Sequence, residues 1–418
     1  MRLSGFVGED QSQEEWCLLS DTELGMAAET SDLAHRMSSP VRTIPGDPAE
    51  PSQGLALCLS GGGYRAMLFH LGVLWRLNEA GVLPRLDRVS SVSGGSITAG
   101  VLALHWAQLE FDATGRANAF SKIVDDIRRF ASVTVDVGAV LTGVALPFVS
   151  VSDRVVRAYR RELFGKSILQ NLPDKPTFVF NATNLESGVL FRFSKRYLAD
   201  YRVGRVMEPD LPIAVAIAAS SAFPPFLSPC TIDLSQEDWV TDAGNDLVGA
   251  EYRDELTLTD GGVYDNLGIE TAWKQYRTIL VSDGGGHLVP DPDPAGDWGE
   301  QMLRVLKVID NQVRALRKRQ IIGAFESTAG ADHRDGVYVG IRSHVADYRL
   351  DDAMPADPKI TDELAGLPTR LAAVSDTHQQ RLINWGYTIC DTGIRKHVMP
   401  ELRRGQLPYP ANPLTNRI

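Results

Sequence analysis

Residues 55–104, LALCLSGGGYRAMLFHLGVLWRLNEAGVLPRLDRVSSVSGGSITAGVLAL, hold two consecutive units of apolar strand, glycine turn and helix. No other stretch of the chain limits its fold so tightly. LALCLS at 55–60 is a short apolar run halted by glycines, the pattern of a strand buried on both faces. From Arg65 to Ala80 the residues Met67, Leu68, Leu71, Leu74, Trp75 and Leu77 recur at helical spacing, and Gly81 supplies the stop. A strand at 88–92, a bend at Ser93 and a helix from Gly95 to about Leu109 repeat the pattern. A βαβα run of this kind implies a parallel sheet with right-handed crossovers.

Each turn has chemical capacity. Gly61, Gly62 and Gly63 let the backbone approach a ligand closely, and the N–H groups entering the next helix are unpaired at the positive end of its dipole. Such a turn suits a dinucleotide pyrophosphate and the oxyanion of an ester attack equally well. It is not a P-loop, because no Gly-Lys-Ser/Thr follows, and Ala66 takes the third glycine position of a dinucleotide fingerprint. The second turn, Ser91-Val92-Ser93-Gly94-Gly95, has the order of a nucleophile elbow, with small residues around Ser93. Ser91 stands where the usual pattern begins with glycine. The competing reading makes Ser93 a plain helix N-cap. Ser90 and Ser91 fall in the strand and Ser96 inside the helix.

A serine nucleophile needs a base within reach. Of the eight histidines, His35 lies in the N-terminal extension, His70 and His105 inside helices, and His333, His344, His378 and His397 in late polar segments. His287, after a strand ending in glycines, is the one at a sheet edge. Asp260 is the stronger candidate: it ends the strand LTLT before Gly261-Gly262, which puts its carboxylate at the carboxyl edge where ligands collect in open α/β folds. Asp283-Gly284-Gly285 is a near-duplicate and the rival. Either also reads as a turn-forming Asp-Gly pair.

With 418 residues, 44% of them hydrophobic and 23% charged, the chain can build a sizeable core. Its net charge of −11 argues against non-specific nucleic-acid binding. Cys17, Cys58, Cys230 and Cys390 are scattered, so neither a disulfide framework nor a metal site is expected, and Cys58 reads as a buried thiol. The acidic N-terminus lacks a signal pattern and no run reaches transmembrane length, so the expected location is cytoplasmic with peripheral contact at membranes, export without a cleaved signal remaining open.

Further strands are expected at 177–186, 188–194, 256–262 and 278–286, and a helix at 211–226 that Pro224-Pro225 stops. An amphipathic helix covers Glu300–Arg319, and two more fall within 360–396. Residues 1–53 read as an irregular extension, 54–290 as the organised domain, and 291–418 as a mainly helical part packed on it. The apolar stretch 133–151, with Asp136 its one charge, reads as a core helix or as a lid that touches a bilayer. The cluster Arg314, Arg317, Lys318 and Arg319 reads as a solvated helix face or a contact for acidic head groups.

SGGGYRA, SVSGG and TDGGVYDNLG, in this order, resemble the patatin-like phospholipases, and FNATNLESG and AIAASSAFPPFLSP are similar to further segments of that family's catalytic domain. The resemblance spans residues 54–290. It implies a three-layer α/β/α fold with a mostly parallel central sheet, and hydrolysis of lipid acyl esters by a Ser–Asp dyad. Ser93 would be the nucleophile and Asp260 the proton acceptor. Gly61, Gly62 and Gly63 would form the oxyanion hole, with Arg65 at the basic position beside it and Gly95 and Gly262 supporting the two turns. The departures, Ser91 and Ala66 for glycines, exchange one small residue for another. The implied dyad uses no histidine, metal or cofactor, and the implied partner is lipid at a membrane or micelle surface. A triacylglycerol lipase, thioesterase or acyltransferase would share the dyad, and a partner-dependent lipid-binding protein the fold. A nucleotide-binding Rossmann protein would leave Ser93 and Asp260 without roles.

Overall fold

The computed structural model describes residues 51–135, 151–286, 288–328 and 333–415. The strands are β1 (Ser52–Leu59), β2 (Arg88–Val92), β3 (Thr177–Asn184), β4 (Leu190–Phe193), β5 (Tyr197–Asp200), β6 (Gly204–Met207), β7 (Cys230–Asp233), β8 (Trp239–Val240), β9 (Glu255–Asp260), β10 (Tyr276–Asp283) and β11 (Asp335–Gly340). The main helices are α1 (Gly63–Glu79), α2 (Gly94–His105), α3 (Phe120–Ala131), α4 (Val151–Tyr159), α5 (Ile213–Ser220), α6 (Trp298–Glu326), α7 (Pro358–Gly366) and α8 (Asp376–His397). The expected βαβα unit is therefore present nearly residue for residue. Residues 1–50, His287 and most of the apolar stretch 133–151 lie outside the described residues.

Five parallel strands, in the order β11-β10-β1-β2-β3, make the centre of the sheet, and β4, β5, β6 and β8 extend it antiparallel. Alternation along the strands sorts side chains to two faces. Leu57, Leu59 and Leu280 join the larger core with α1, α2 and α8. Ala56, Cys58, Ile279 and Val281 point the other way, into a smaller core that Ile321 of α6 helps close. This is the α/β fold with helices on both faces. Cys58, Cys230 and Cys390 are buried free thiols. No described helix is long and apolar enough to cross a membrane.

α8 packs along α1 with backbones in contact, because a Cβ on Gly72 would fall 2.0 Å from the Ile383 carbonyl oxygen. The C-terminal helices thus rest directly on the helix that follows the first glycine turn.

One feature of strand order positions the site. β2 pairs with β3 as far as Val92 opposite Asn181, and the next residue of β3, Ala182, pairs instead with Asp260 of β9. β9 runs antiparallel to β3, so the carboxyl ends of β2 and β9 meet head to head along one edge of β3. The sequence places Asp260 at the carboxyl edge of the sheet. It arrives there on a strand running against the parallel set.

Candidate active site

β2 ends at Val92 and α2 begins at Gly94, leaving Ser93 alone in the bend with φ 51° and ψ −120°. A non-glycine residue at positive φ costs roughly 1–3 kcal/mol and persists only where its surroundings enforce it. Here the surroundings are a chain of serine hydroxyls. Ser93 N–H donates to Ser220 Oγ at 3.0 Å, and Ser220 Oγ donates to the Asn181 carbonyl at 2.7 Å. Ser96 Oγ bridges Ser91 Oγ at 3.0 Å and Ser220 Oγ at 2.8 Å. Ser91, the departure from glycine, is thus part of the scaffold that holds the bend. Ser93 occupies the N-cap position of α2, yet its side chain does not cap the helix.

The two glycine turns interlock. A Cβ on Gly94 would fall 2.2 Å from the Gly63 carbonyl oxygen, and one on Gly61 would fall 3.2 Å from Ser93 Cβ. Only glycine at these positions lets the first turn lie against the second. Gly61 N–H donates to the Asn266 carbonyl at 3.0 Å. The N–H groups of Gly62, Gly63 and Gly94 have no hydrogen-bond acceptor among the described residues.

Asp260 is 3% exposed and Ser93 8% exposed, so the pair lies nearly out of contact with water. Burial pushes the Asp260 carboxyl up to about 7, and the nearby Asp310 charge adds to the rise. Two hydrogen bonds oppose it: Gly262 N–H donates to Asp260 Oδ1 at 2.7 Å, and the Ser93 hydroxyl makes a second, weaker contact. Gly262 thus serves the carboxylate directly. The end of β9 is held by Asp260 N–H donating to the Ala222 carbonyl at 3.0 Å, from the loop after α5.

Asp283, the rival at the end of β10, has a different environment. Burial raises its proton affinity, but the Arg314 charge, the Tyr338 hydroxyl at 2.7 Å from Oδ2 and the Gly285 N–H at 2.8 Å from Oδ1 outweigh burial. Its carboxyl therefore lies below the ordinary range, a charged anchor whose oxygens are already occupied.

Arg65 turns away from a ligand role. Its Nε and Nη2 donate to the Gly284 carbonyl at 3.3 and 3.0 Å, and its Nη1 to the carbonyls of Ala365 and Leu367 at 2.9 and 2.7 Å. It ties the start of α1 to the loop after β10 and to the end of α7. His70 sits below the same turn, with Nε2 2.9 Å from the Ser60 carbonyl and Nδ1 2.7 Å from Ser282 Oγ. Burial lowers His70 to about 4, which keeps it neutral. His105 pairs with Asp126 at 2.7 Å.

Asn266 is the member of the site that sequence reasoning missed. Besides accepting from Gly61, it holds its side-chain oxygen toward Arg314, whose Nε and Nη2 both donate at 3.1 Å. Its amide nitrogen then faces the space between Gly61 and Gly262. Arg314 also donates to the Gly286 carbonyl and pairs with Asp310 at 2.9 Å. Arg317 pairs with Glu270 at 2.9 Å. The basic cluster of α6 is therefore divided: Arg314 and Arg317 face the protein and the Lys318 ammonium lies 4.5 Å from the centre of the Tyr338 ring, while Arg319 is exposed.

The patatin-like phospholipase family model matches residues 57–273. No curated protein sequence matches the chain. Among solved structures, human GIVD cytosolic phospholipase A2 is 13% identical, with a TM-score of 0.48 over 90% of this chain and 63% of that one. VipD from Legionella pneumophila is 17% identical, with a TM-score of 0.34 over 84% of this chain and 69% of its own. A structure of full-length SpcU with full-length ExoU from Pseudomonas aeruginosa is 16% identical, with a TM-score of 0.25 over 86% of this chain and 83% of the chain matched. This chain thus spans less than two thirds of the human enzyme. The family model covers more than half of the 418 residues and includes both glycine turns and Asp260, and on that match the protein belongs to the patatin-like phospholipase family.

Proposed function

We propose that the protein is a lipid acyl hydrolase that cleaves fatty-acyl esters through Ser93 and Asp260. The observation that carries this reading is a nearly buried carboxyl, raised to about 7, beside a serine in a nucleophile bend. A base with proton affinity near neutral both accepts the serine proton and returns it to a leaving group. Ser93 and Asp260 make a weak contact, and catalytic hydrogen bonds of this kind tighten when substrate binds.

Ser93 Oγ attacks the ester carbonyl while Asp260 takes the hydroxyl proton. The carbonyl oxygen becomes an oxyanion, held by the unengaged N–H groups of Gly62, Gly63 and Gly94 at the mouths of α1 and α2. Gly61 supports this turn through Asn266. Collapse of the tetrahedral species breaks the bond to the alcohol, which leaves with the proton from Asp260. An acyl group remains on Ser93. Water, giving its proton to Asp260, attacks that acyl group, and the bond to Ser93 Oγ breaks as Asp260 returns the proton to it, which releases the fatty acid and restores both residues.

The test is fatty-acid release from a panel of phospholipids, lysophospholipids and triglycerides, with the wild-type chain and Ser93→Ala side by side. Release by the wild type that disappears in Ser93→Ala is expected. Release that survives in Ser93→Ala, or none from any lipid of the panel, defeats the reading.

A further inference from the structure

From Trp298 to Ile309 α6 stands away from the rest of the described chain: every residue except Gly299 and Arg304 is exposed. That stretch is not polar. Trp298, Met302, Val305, Leu306 and Ile309 share one side at helical spacing, and exposed Leu316 continues it. Trp298 is 82% exposed. A three-turn helix exposed on nearly every side among the described residues has no reason from packing against them to carry such a stripe. Farther along, the same helix is anchored: Ile321 and Ala324 are buried, and Asp310 and Arg314 reach the catalytic centre.

We infer that the N-terminal half of α6 is an interfacial helix that lies in a lipid surface and holds the catalytic centre against it. The occupant follows from three features. First, α6 packs against Gly262–Asp265, the turn that follows Asp260, so the helix that carries the stripe is joined to the site that would draw lipid from that surface. Second, exposed Phe223, Phe226 and Val263 flank the same centre, Val263 next to Gly262 and Phe223 next to the Ala222 that holds Asp260. These side chains add exposed apolar surface beside the centre.

Third, the charge is complementary to lipid head groups. Arg314 and Arg317 are engaged with the protein, but Lys307 in the outlying half and Arg319 farther along are exposed basic residues, in a chain of net charge −11. The acidic residues Asp291, Asp293, Asp297 and Glu300 are confined to the helix start and the loop before it, the end far from the centre. Trp at one end, an apolar stripe and Lys or Arg beside it are the composition of helices that lie in the interface plane. This inference rests on the proposed lipid substrate for its purpose, but the binding itself does not depend on turnover.

The experiment uses the full chain carrying Ser93→Ala, so that lipid is bound and not consumed. Flotation with vesicles of phosphatidylcholine alone, and of phosphatidylcholine with phosphatidylglycerol, gives the bound fraction. Vesicle binding by this parent is expected, stronger with phosphatidylglycerol. Adding Leu306→Asp with Ile309→Asp is expected to weaken binding about tenfold or more, because two apolar side chains lose their burial. Lys307→Glu is expected to remove the gain from phosphatidylglycerol and little else. Circular dichroism checks that the variants fold, and Trp298→Ala repeats the test should the double variant not do so. A parent that fails to bind either vesicle, or folded variants that bind as well as it does, overturns the inference. So does light scattering that shows the parent as a dimer and the double variant as a monomer with vesicle binding unchanged, which assigns the stripe to a second copy. Loss of hydrolysis in the wild type would sink the proposed function and leave the vesicle result standing.

Discussion

Two strands of this sheet end in Asp-Gly-Gly, and both aspartates are buried. Asp260 closes β9 and Asp283 closes β10. Their surroundings drive them apart. Among the described residues Asp260 has no cation beside it, one short backbone bond and a like charge nearby, so burial carries it to about 7. Asp283 has Arg314, the Tyr338 hydroxyl and Gly285 N–H, which hold it below the ordinary range despite equal burial. One is poised to exchange a proton near neutral pH and the other to keep its charge. The same three residues therefore make a carboxyl that titrates near neutral pH in one place and a charged anchor in the other, and the neighbours decide which.

Exchanging each carboxylate for an amide tests the contrast most severely. Asp260→Asn is expected to lower kcat roughly 10³- to 10⁴-fold, the scale of losing a general base. Asp283→Asn, measured in the same ester assay, is expected to stay within about tenfold of wild type, the loss coming from a loosened scaffold and not from lost proton transfer. Comparable losses in the two variants would erase the distinction.

The pH profile comes next. Asp260 must be ionised to accept the Ser93 proton, so kcat/KM should rise with pH through a midpoint at about 7. Well below it, activity falls about tenfold per pH unit, to roughly a hundredth of its plateau at pH 5. A flat profile over that range would remove Asp260 from the role.

Stability should respond with opposite signs. Between pH 3.8 and about 7 the folded chain keeps a proton on Asp260 that the unfolded chain has released, so unfolding becomes easier as pH climbs through this window. At pH 8 the buried charge is a full cost, and Asp260→Asn should raise stability by on the order of 2 kcal/mol. Asp283 behaves oppositely: its lowered proton affinity stabilises the fold above the unfolded value and is lost as pH falls through the folded one. Asp283→Asn should cost about 2 kcal/mol at pH 8. Urea unfolding of both variants reads the signs directly. The smallest effect is expected at Asp310, where Asp310→Asn removes the like charge and should move the activity midpoint below 7 by less than about one unit.

The two strand-end aspartates also mark where a single sequence stops being informative. The βαβα unit, the bend at Ser93 and the glycine stops were legible, because apolar periodicity and glycine placement are local signals. Asp260 was legible as the stronger candidate over Asp283, but the surroundings that drive the two apart were not, because they depend on Arg314, Tyr338 and Asp310, which lie about 30 to 55 residues away in sequence. The direction of β9 was equally hidden: LTLTDGG reads the same whether its strand joins the parallel set or runs against it. Ser220 and Asn266 lie inside the segments AIAASSAFPPFLSP and TDGGVYDNLG that carry the resemblance, but nothing local marks their contacts, since one looks like a helix end and the other like a turn. Arg65 stood out by its position, yet four hydrogen bonds to carbonyls make it a tie between loops. The apolar face of α6 was legible as amphipathic, but only the fold shows that nothing described packs on it.

The central claim is that Ser93 is the nucleophile and Asp260 its base. Reaction with a fluorophosphonate probe, followed by mass spectrometry of the tryptic peptides, tests it most directly. The account predicts one phosphonyl adduct on Ser93 in the wild-type chain, no adduct in Ser93→Ala, and strongly slowed labelling in Asp260→Asn. An adduct on Ser90, Ser91 or Ser96, or labelling that Asp260→Asn leaves at the wild-type rate, would contradict it.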